Sequence, residues 1–190
     1  DNYTPASVAA EVKKYDGVRR KQAIGSLVKT RHIDNLDVIA SYGEDAAVIQ
    51  NGRTALLLAA DGIWNKLMDI DPYWAGYCAI LVNVHDIAAM GGRPVAMVDI
   101  LSASDDEVMA QVTNGMRDAA NAFNVPVVGG HLHPDAPYNV IDVSILGVAD
   151  LENVIYSSTA NVGDSIIMAI DLNGRIHPSA RMNWDSVTQK

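Results

Sequence analysis

Apolar and polar positions along the chain fall into helical and strand-like runs, and the longest apolar one lies in the middle. From Pro72 to Met90 the residues Trp74, Tyr77, Ile80, Leu81, Val84, Ile87 and Met90 leave no polar face in a helical projection. A helix apolar all round is buried. Asp71 is placed to cap it and Pro72 to open it; Gly91 and Gly92 stop it and Pro94 blocks continuation. Asn83 and Asp86 break the pattern, and three residues apart they share a face. Ahead of this helix, Thr4 and Pro5 open a short helix through Tyr15, and residues 16–42 read as mixed helix and loop. The polar turn Gly43-Glu44-Asp45 enters a strand, Asn51-Gly52 is a hairpin signal, and Thr54–Ala60 returns as a strand apolar enough to be buried on both faces. It ends at Asp61-Gly62, and a loop with Trp64, Lys66, Asp69 and Asp71 leads into the helix. Behind the helix come a strand at Val95–Leu101 and a capping box of Ser104 with Glu107. That box opens a second helix carrying Val108, Val112, Met116, Ala119 and Phe123. A short strand at Val125–Val128 runs into Gly129-Gly130-His131. A longer strand covers Tyr138–Val148 and a last one Ser165–Asp171, while Asn173–Lys190 has no clear period. A hairpin followed by helices and further strands makes an α+β (mixed α/β) fold.

At 190 residues and 49% hydrophobic, the chain can build one good-sized core. A formal net charge of −9 argues against nucleic acid or an anionic membrane as partner. The charge is uneven: seven of the 14 Lys and Arg stand in the first 31 residues against three acids, leaving seven bases and 20 acids in the remainder. Lys29, Arg31 and His32 cluster in that basic arm, where they can face phosphate or solvent. Cys78 is the single cysteine, so there is no disulfide framework, and a reducing, cytoplasmic setting is expected. No apolar run approaches the ~18 residues of a membrane span, and no signal peptide is visible. The chain begins at Asp1 without Met, which suggests a trimmed or partial product.

The candidate chemistry lies in acidic residues at element ends: Glu44 and Asp45 before a strand, Asp61 after one, Asp86 near the end of the central helix. An ionised carboxylate inside an apolar helix must be paired, hydrogen-bonded or bound to a cation, although Asp86 could equally cap a neighbouring loop. Mg²⁺ suits such a supply, because it takes oxygen ligands and binds through a few carboxylates plus substrate phosphates. If the hairpin and the helix converge, Asp45, Asp61 and Asp86 can hold Mg²⁺ against a polyphosphate. Glycines at 43, 62, 91, 92, 129 and 130 allow close backbone approach.

Taken in order, these stretches resemble one superfamily, that of aminoimidazole ribonucleotide synthetase, selenophosphate synthetase, thiamine-monophosphate kinase and the hydrogenase-maturation carbamoyl dehydratase. Gly43-Glu44-Asp45-Ala46-Ala47-Val48 is similar to its Gly-Asp-Asp-Ala-Ala-Val turn. Asp61-Gly62-Ile63-Trp64-Asn65-Lys66-Leu67 is similar to an Asp-Gly-Val-Gly-Thr-Lys-Leu stretch. Asp86-Ile87-Ala88-Ala89-Met90-Gly91-Gly92-Arg93-Pro94 is the most specific block, and Gly129-Gly130-His131 resembles the selenophosphate member. The resemblance implies the N-terminal, ATP-binding domain of a two-domain kinase or synthetase that activates a small substrate by phosphorylation. It implies a mostly antiparallel sheet backed by helices, with sheets joined across a homodimer. It further implies Glu44, Asp45, Asp61 and Asp86 as Mg²⁺ or phosphate ligands, and Lys66 as a phosphate contact acting with Asp45 and Asp61 in catalysis. Gly43, Lys66, Asn83, Gly129, Gly130 and His131 would hold ATP. On this reading residues 1–42 are a basic arm, 43–171 the ATP-binding domain, and 172–190 the start of a linker or of a C-terminal domain. Glu44 stands where the family has Asp, the arm lacks the reactive Cys of selenophosphate synthetase, and His131 replaces the Asp of thiamine-monophosphate kinase.

Two other readings remain open. His131-x-His133-x-Asp135 is a spacing used by zinc-dependent hydrolases, and strand alternation would put both imidazoles on one side; Ala136 stands where such a motif has a further His. A non-catalytic nucleotide-binding dimerisation module would share the fold without the reaction.

Overall fold

A computed structural model describes residues 3–31, 37–134, 136–170, 172, 175–176 and 184–185, and leaves undescribed the side chains of residues 27, 29–31, 175–176 and 184–185. The chain forms two compact units, Asp1–Asp37 and Val38–Lys190. The first holds three helices, α1 (Pro5–Lys14), α2 (Asp16–Lys21) and α3 (Ala23–Arg31). Thr4 and Ser7 close the capping box of α1, Thr4 Oγ1 accepting from the Ser7 amide and Ser7 Oγ from the Thr4 amide. No residue of α1 or α2 is buried. The Lys29, Arg31 and His32 side chains, read as facing phosphate or solvent, lie outside the described residues.

The second unit runs β1 (Val38–Ala40), β2 (Ala47–Asn51), β3 (Thr54–Gly62), α4 (Asn65–Ile70), α5 (Pro72–Ala89), β4 (Arg93–Ser102), α6 (Asp106–Phe123), β5 (Val127–His133) and β6 (Val140–Asp150). A 3₁₀ turn and the short strands β7 (Arg175–Ile176) and β8 (Trp184–Asp185) follow. Six strands form one sheet in the order β1-β2-β3-β6-β4-β5, antiparallel except for β4 with β5. The expected mixed α/β class, a mostly antiparallel sheet backed by helices, is what the chain adopts. Helix α5 packs on β3 and β6, and α6 packs on α5. Asp71 caps α5 by accepting from the Trp74 amide at 2.9 Å, and Gly91 leaves the helix at φ +72°. No described helix is long and apolar enough to cross a membrane.

Several elements differ from expectation, each for a physical reason. The β3 strand is buried on one face only: Ala55, Leu57 and Ala59 point into the core while Leu58 is 48% exposed, because α5 covers one side of the sheet. The stretch expected as a loop before α5 forms α4, anchored by buried Leu67 and Met68. The cap of α6 is Asp105, not Ser104. Asp105 Oδ1 accepts from the Val108 amide at 2.9 Å, while the Ser104 hydroxyl donates to Asp105 Oδ2 and the Ser104 amide to Asn139 Oδ1. Strand β5 continues through Gly129-Gly130-His131 instead of ending at Val128. Residues 165–170 form no strand: they have no ladder partner among the described residues, and Ile166 and Ile167 stand 95% and 91% exposed.

The α5–α6 contact depends on missing side chains. A Cβ on Gly115 would overlap the Tyr73 carbonyl oxygen and come within 2.8 Å of the Tyr77 amide nitrogen; one on Gly76 would overlap the Val112 carbonyl. Tyr73 Oη then donates to Asp118 Oδ2 across the pair at 3.0 Å. Ala is the better helix former by about 1 kcal/mol, yet Gly115→Ala is expected to destabilise the fold by about 1–3 kcal/mol through overpacking. Chemical denaturation reads this, and an unchanged or raised midpoint would refute the close approach. The Val108 amide holds the Asp105 carboxyl below its ordinary value of 3.8. A depressed folded pKa stabilises the fold above the unfolded value, and that share is lost as pH falls through the folded one. Asp105→Ala should therefore melt earlier than the parent at neutral pH, with the difference closing in acid.

Candidate functional site

Four of the expected site residues, Gly43, Glu44, Asp45 and Asp61, lie at one end of the β2–β3 hairpin. Ala47 pairs with Leu58, so Asp45 and Asp61 lie toward the same end of the two strands. Gly43 makes the turn into β2 at φ +111°, a backbone conformation that favours glycine. Asp45 follows it, exposed. Glu44 is already engaged: its Oε2 accepts from the Ser157 amide at 2.9 Å and its Oε1 from the Ser157 hydroxyl at 3.1 Å. The turn thereby fixes the segment that leaves the sheet after β6.

Asn83 meets Asp61 from the α5 side. It is fully buried, and its Nδ2 donates to the Ala79 carbonyl at 2.8 Å and, at 3.5 Å, to the Asp61 carbonyl. Its Oδ1 is buried with no hydrogen-bond partner. A buried amide oxygen left unpaired is costly and calls for a reason. Asp86 is half-buried on the next turn of α5, three residues on. Lys66, in the first turn of α4, holds its ammonium 5.3 Å from the centroid of the Trp64 ring, a cation–π contact.

The remaining expected residues lie further across the sheet. The register runs Asp61 to Val143, Val143 to Asp99 and Asp99 to Gly130, so Gly130 stands three strands from Asp61, about 14 Å at ordinary strand spacing. Among the described residues, no three His, Cys, Asp or Glu side chains come close enough to hold a metal ion by themselves. Gly129, Gly130 and His131 belong to the edge strand, and the His131 and His133 rings stack edge to face with centroids 4.5 Å apart. That is the side-by-side placement strand alternation calls for; Asp135, the third member of that triplet, lies outside the described residues.

Two further residues belong to this region. Asp142, exposed on β6, sits against Gly62, where a Cβ would overlap its carboxylate. Its place between Ile141 and Val143 in an apolar strand is a signal that reading the sequence for element ends passes over. Ser157 carries no such signal, because its partner Glu44 is 113 residues away.

The model of the AIR synthase related protein, N-terminal domain, matches residues 43–149, which spans the hairpin, both long helices and nearly all of β6. An uncharacterized protein of Methanocaldococcus jannaschii is 48% identical over 188 residues, covering 96% of this chain and 58% of its own. A selenide, water dikinase of Aeromonas hydrophila is 30% identical over 132 residues, covering 67% of this chain and 38% of its own. The chain thus spans about half the length of these curated relatives. Among solved structures, AaThiL complexed with AMPPCP and TMP superposes with a TM-score of 0.64 at 25% identity, covering 75% of this chain and 45% of that one. The family model covers more than half of the chain, and the chain belongs to the AIR synthase-related N-terminal domain family.

Proposed function

We propose that this chain is the Mg²⁺-dependent ATP-binding part of an enzyme that activates a small substrate by phosphoryl transfer. The observation that carries the reading is the buried, orphaned Asn83 Oδ1 beside Asp61 and one turn from Asp86, in a family with a member solved with the ATP analogue AMPPCP. The residues present fit Mg²⁺: the donors on offer are carboxylate and amide oxygens, and this ion takes one or two carboxylates with the rest from phosphate and water. A preassembled cage of three carboxylates is therefore not required. Asp45, Asp61 and Asp86 would hold the ion, and Asn83 would support them. Glu44 accepts one hydrogen bond from Ser157 on each oxygen, and its remaining lone pairs could still meet a cation. When bound, the metal neutralises phosphate charge that these carboxylates would otherwise repel.

The chain's own residues then have separate tasks. Lys66, its ammonium over the Trp64 ring, meets phosphate oxygens and acts with Asp45 and Asp61 in the transfer. The Gly43 turn and the Gly129-Gly130 segment let a ligand approach the backbone; His131, next along β5, turns its side chain to the other face of the sheet. The span across four strands suits one extended nucleotide better than one compact ligand. The adjacent His131 and His133 are the feature a zinc hydrolase would need, but the family match favours the nucleotide. A homodimer belongs to the same proposal. Leu58, Val98, Ile100 and Leu146 stand on the sheet face opposite the helices, 48%, 46%, 50% and 36% exposed, and a second copy would cover them.

Two measurements test the reading. Asp86→Asn keeps the size of the side chain and removes its charge. If Asp86 faces the cation, the variant should melt no earlier than the parent, and calorimetric Mg-ATP affinity should fall at least about tenfold. ATP should bind poorly to either protein in excess chelator. A variant that melts much earlier yet binds Mg-ATP normally makes Asp86 a structural cap. For the dimer, sedimentation should show two copies at micromolar concentration and one after Leu58→Glu with Val98→Glu; a monomeric parent removes that part of the proposal.

A further inference from the structure

A cavity lies over the β4–β5 edge, on the helix-covered side of the sheet; none of its lining residues is among those proposed to hold the nucleotide, although Asp99 packs against Gly130, which is among them. Its volume is about 330 Å³, at the lower end of the small-molecule range. One wall is α6, which presents Thr113, Arg117 and Asn121 at successive turns, with Met116 and Ala120 beneath them. The other is Asp99 on β4 and Val127 on β5. Asp99 lies on the inward face of β4, between buried Met97 and Leu101. Gly130 alongside leaves no room for a side chain against its carboxylate.

The charges here do not balance. Arg117 lines the cavity, but its Nε and Nη2 both turn to Asp118 Oδ1, at 3.1 and 3.0 Å, and its Nη1 donates to Asn114 Oδ1 at 2.9 Å. Asp118 thus answers its charge. Asp99 has no such answer: among the described residues its one hydrogen-bond donor is its own backbone N–H. Burial pushes its carboxyl above the ordinary value of 3.8, as expected for a half-buried carboxylate without a counter-ion. The other polar groups around it are mainly acceptors or can serve as such. Thr113 donates its hydroxyl hydrogen to the Met109 carbonyl at 2.7 Å, which leaves its oxygen lone pairs. Asn121 can offer its amide oxygen. The floor of Met116, Ala120 and Val127 is apolar.

We propose that this cavity binds a small organic cation with a flat apolar body, of the amidinium or protonated amino-heterocycle class. Its N–H groups are held by the Asp99 carboxylate and flanked by Thr113 and Asn121. The carboxylate gains the counter-ion it lacks, and the ring rests on Met116, Ala120 and Val127. A carboxylate meets an amidinium with two parallel charge-assisted hydrogen bonds, so charge and shape are read together.

The probe is benzamidinium, with neutral benzamide as its near-isosteric control, titrated into the isotopically labelled chain and followed by amide shifts. Benzamidinium should shift Thr113, Asn121 and Val127, and benzamide should bind at least about tenfold more weakly. Asp99→Asn should lose at least about tenfold in benzamidinium affinity while melting no earlier than the parent, because a half-buried charge is removed. Ala120→Leu fills the cavity without touching charge, and should also lose binding. Equal affinity of Asp99→Asn for the cation, shifts centred on Asp45, Asp61 or Asp142, or no shift at the three reporter amides at the probe's solubility limit would each overturn the proposal.

Discussion

Helix α5 must be buried on two sides at once, and the rest of the second unit follows from that demand. One side lies on β3 and β6, the other against α6, and Gly76 and Gly115 let the two helices approach until backbone meets side-chain positions. On the sides enclosed in this way no solvent reaches its polar atoms, and a polar side chain there needs a partner or a use; His85 stands on the open side, exposed. Asn83 illustrates the constraint: its amide hydrogens find the Ala79 and Asp61 carbonyls while its oxygen finds nothing. The packing that stabilises α5 is what holds that unsatisfied oxygen next to the end of β3.

The parts of the fold that read clearly from sequence are those fixed by local chemistry. Asp71-Pro72 and Gly91-Gly92 bound α5 because caps and stops act within a turn of the backbone. Asn51-Gly52 fixes the hairpin for the same reason. What did not read clearly depends on neighbours. The run Thr54–Ala60 is equally apolar whether a second layer covers both faces or one, and Leu58 became exposed because the helices occupy one side. Ser104 and Asp105 are both good caps, and Asn139, from a distant loop, took the Ser104 amide. Ile166 to Ile170 has strand-like composition, but a strand needs a ladder and none is offered among the described residues.

The candidate site divides along the same line. Carboxylates at element ends were visible, because an acid next to a glycine at the end of an apolar run stands out. Their mutual placement was not, since it depends on strand register across β3, β6, β4 and β5. Glu44 is the instructive case. Composition marks it as one more carboxylate in an acidic turn, while the fold uses both of its oxygens on Ser157. A charged residue near a candidate site can thus serve to fix a chain segment, and only tertiary structure separates that use from ligation.

The sheet order has a consequence for how the chain is made. Strand β6 is the last of the six in sequence, yet it lies in the interior of the sheet between β3 and β4. As the chain emerges from synthesis, β2 with β3 and β4-α6-β5 can each form early from near neighbours. They remain two halves with open edges until β6 arrives. Antiparallel ladders to both sides then close over contacts far apart in sequence, which is slow compared with local pairing. Until that moment the inner edges of β3 and β4 are exposed templates for wrong partners. Residues 140–150 therefore act as the closing element of assembly: a chain cut or stalled just before them would hold most of the core residues and still lack the strand that joins them.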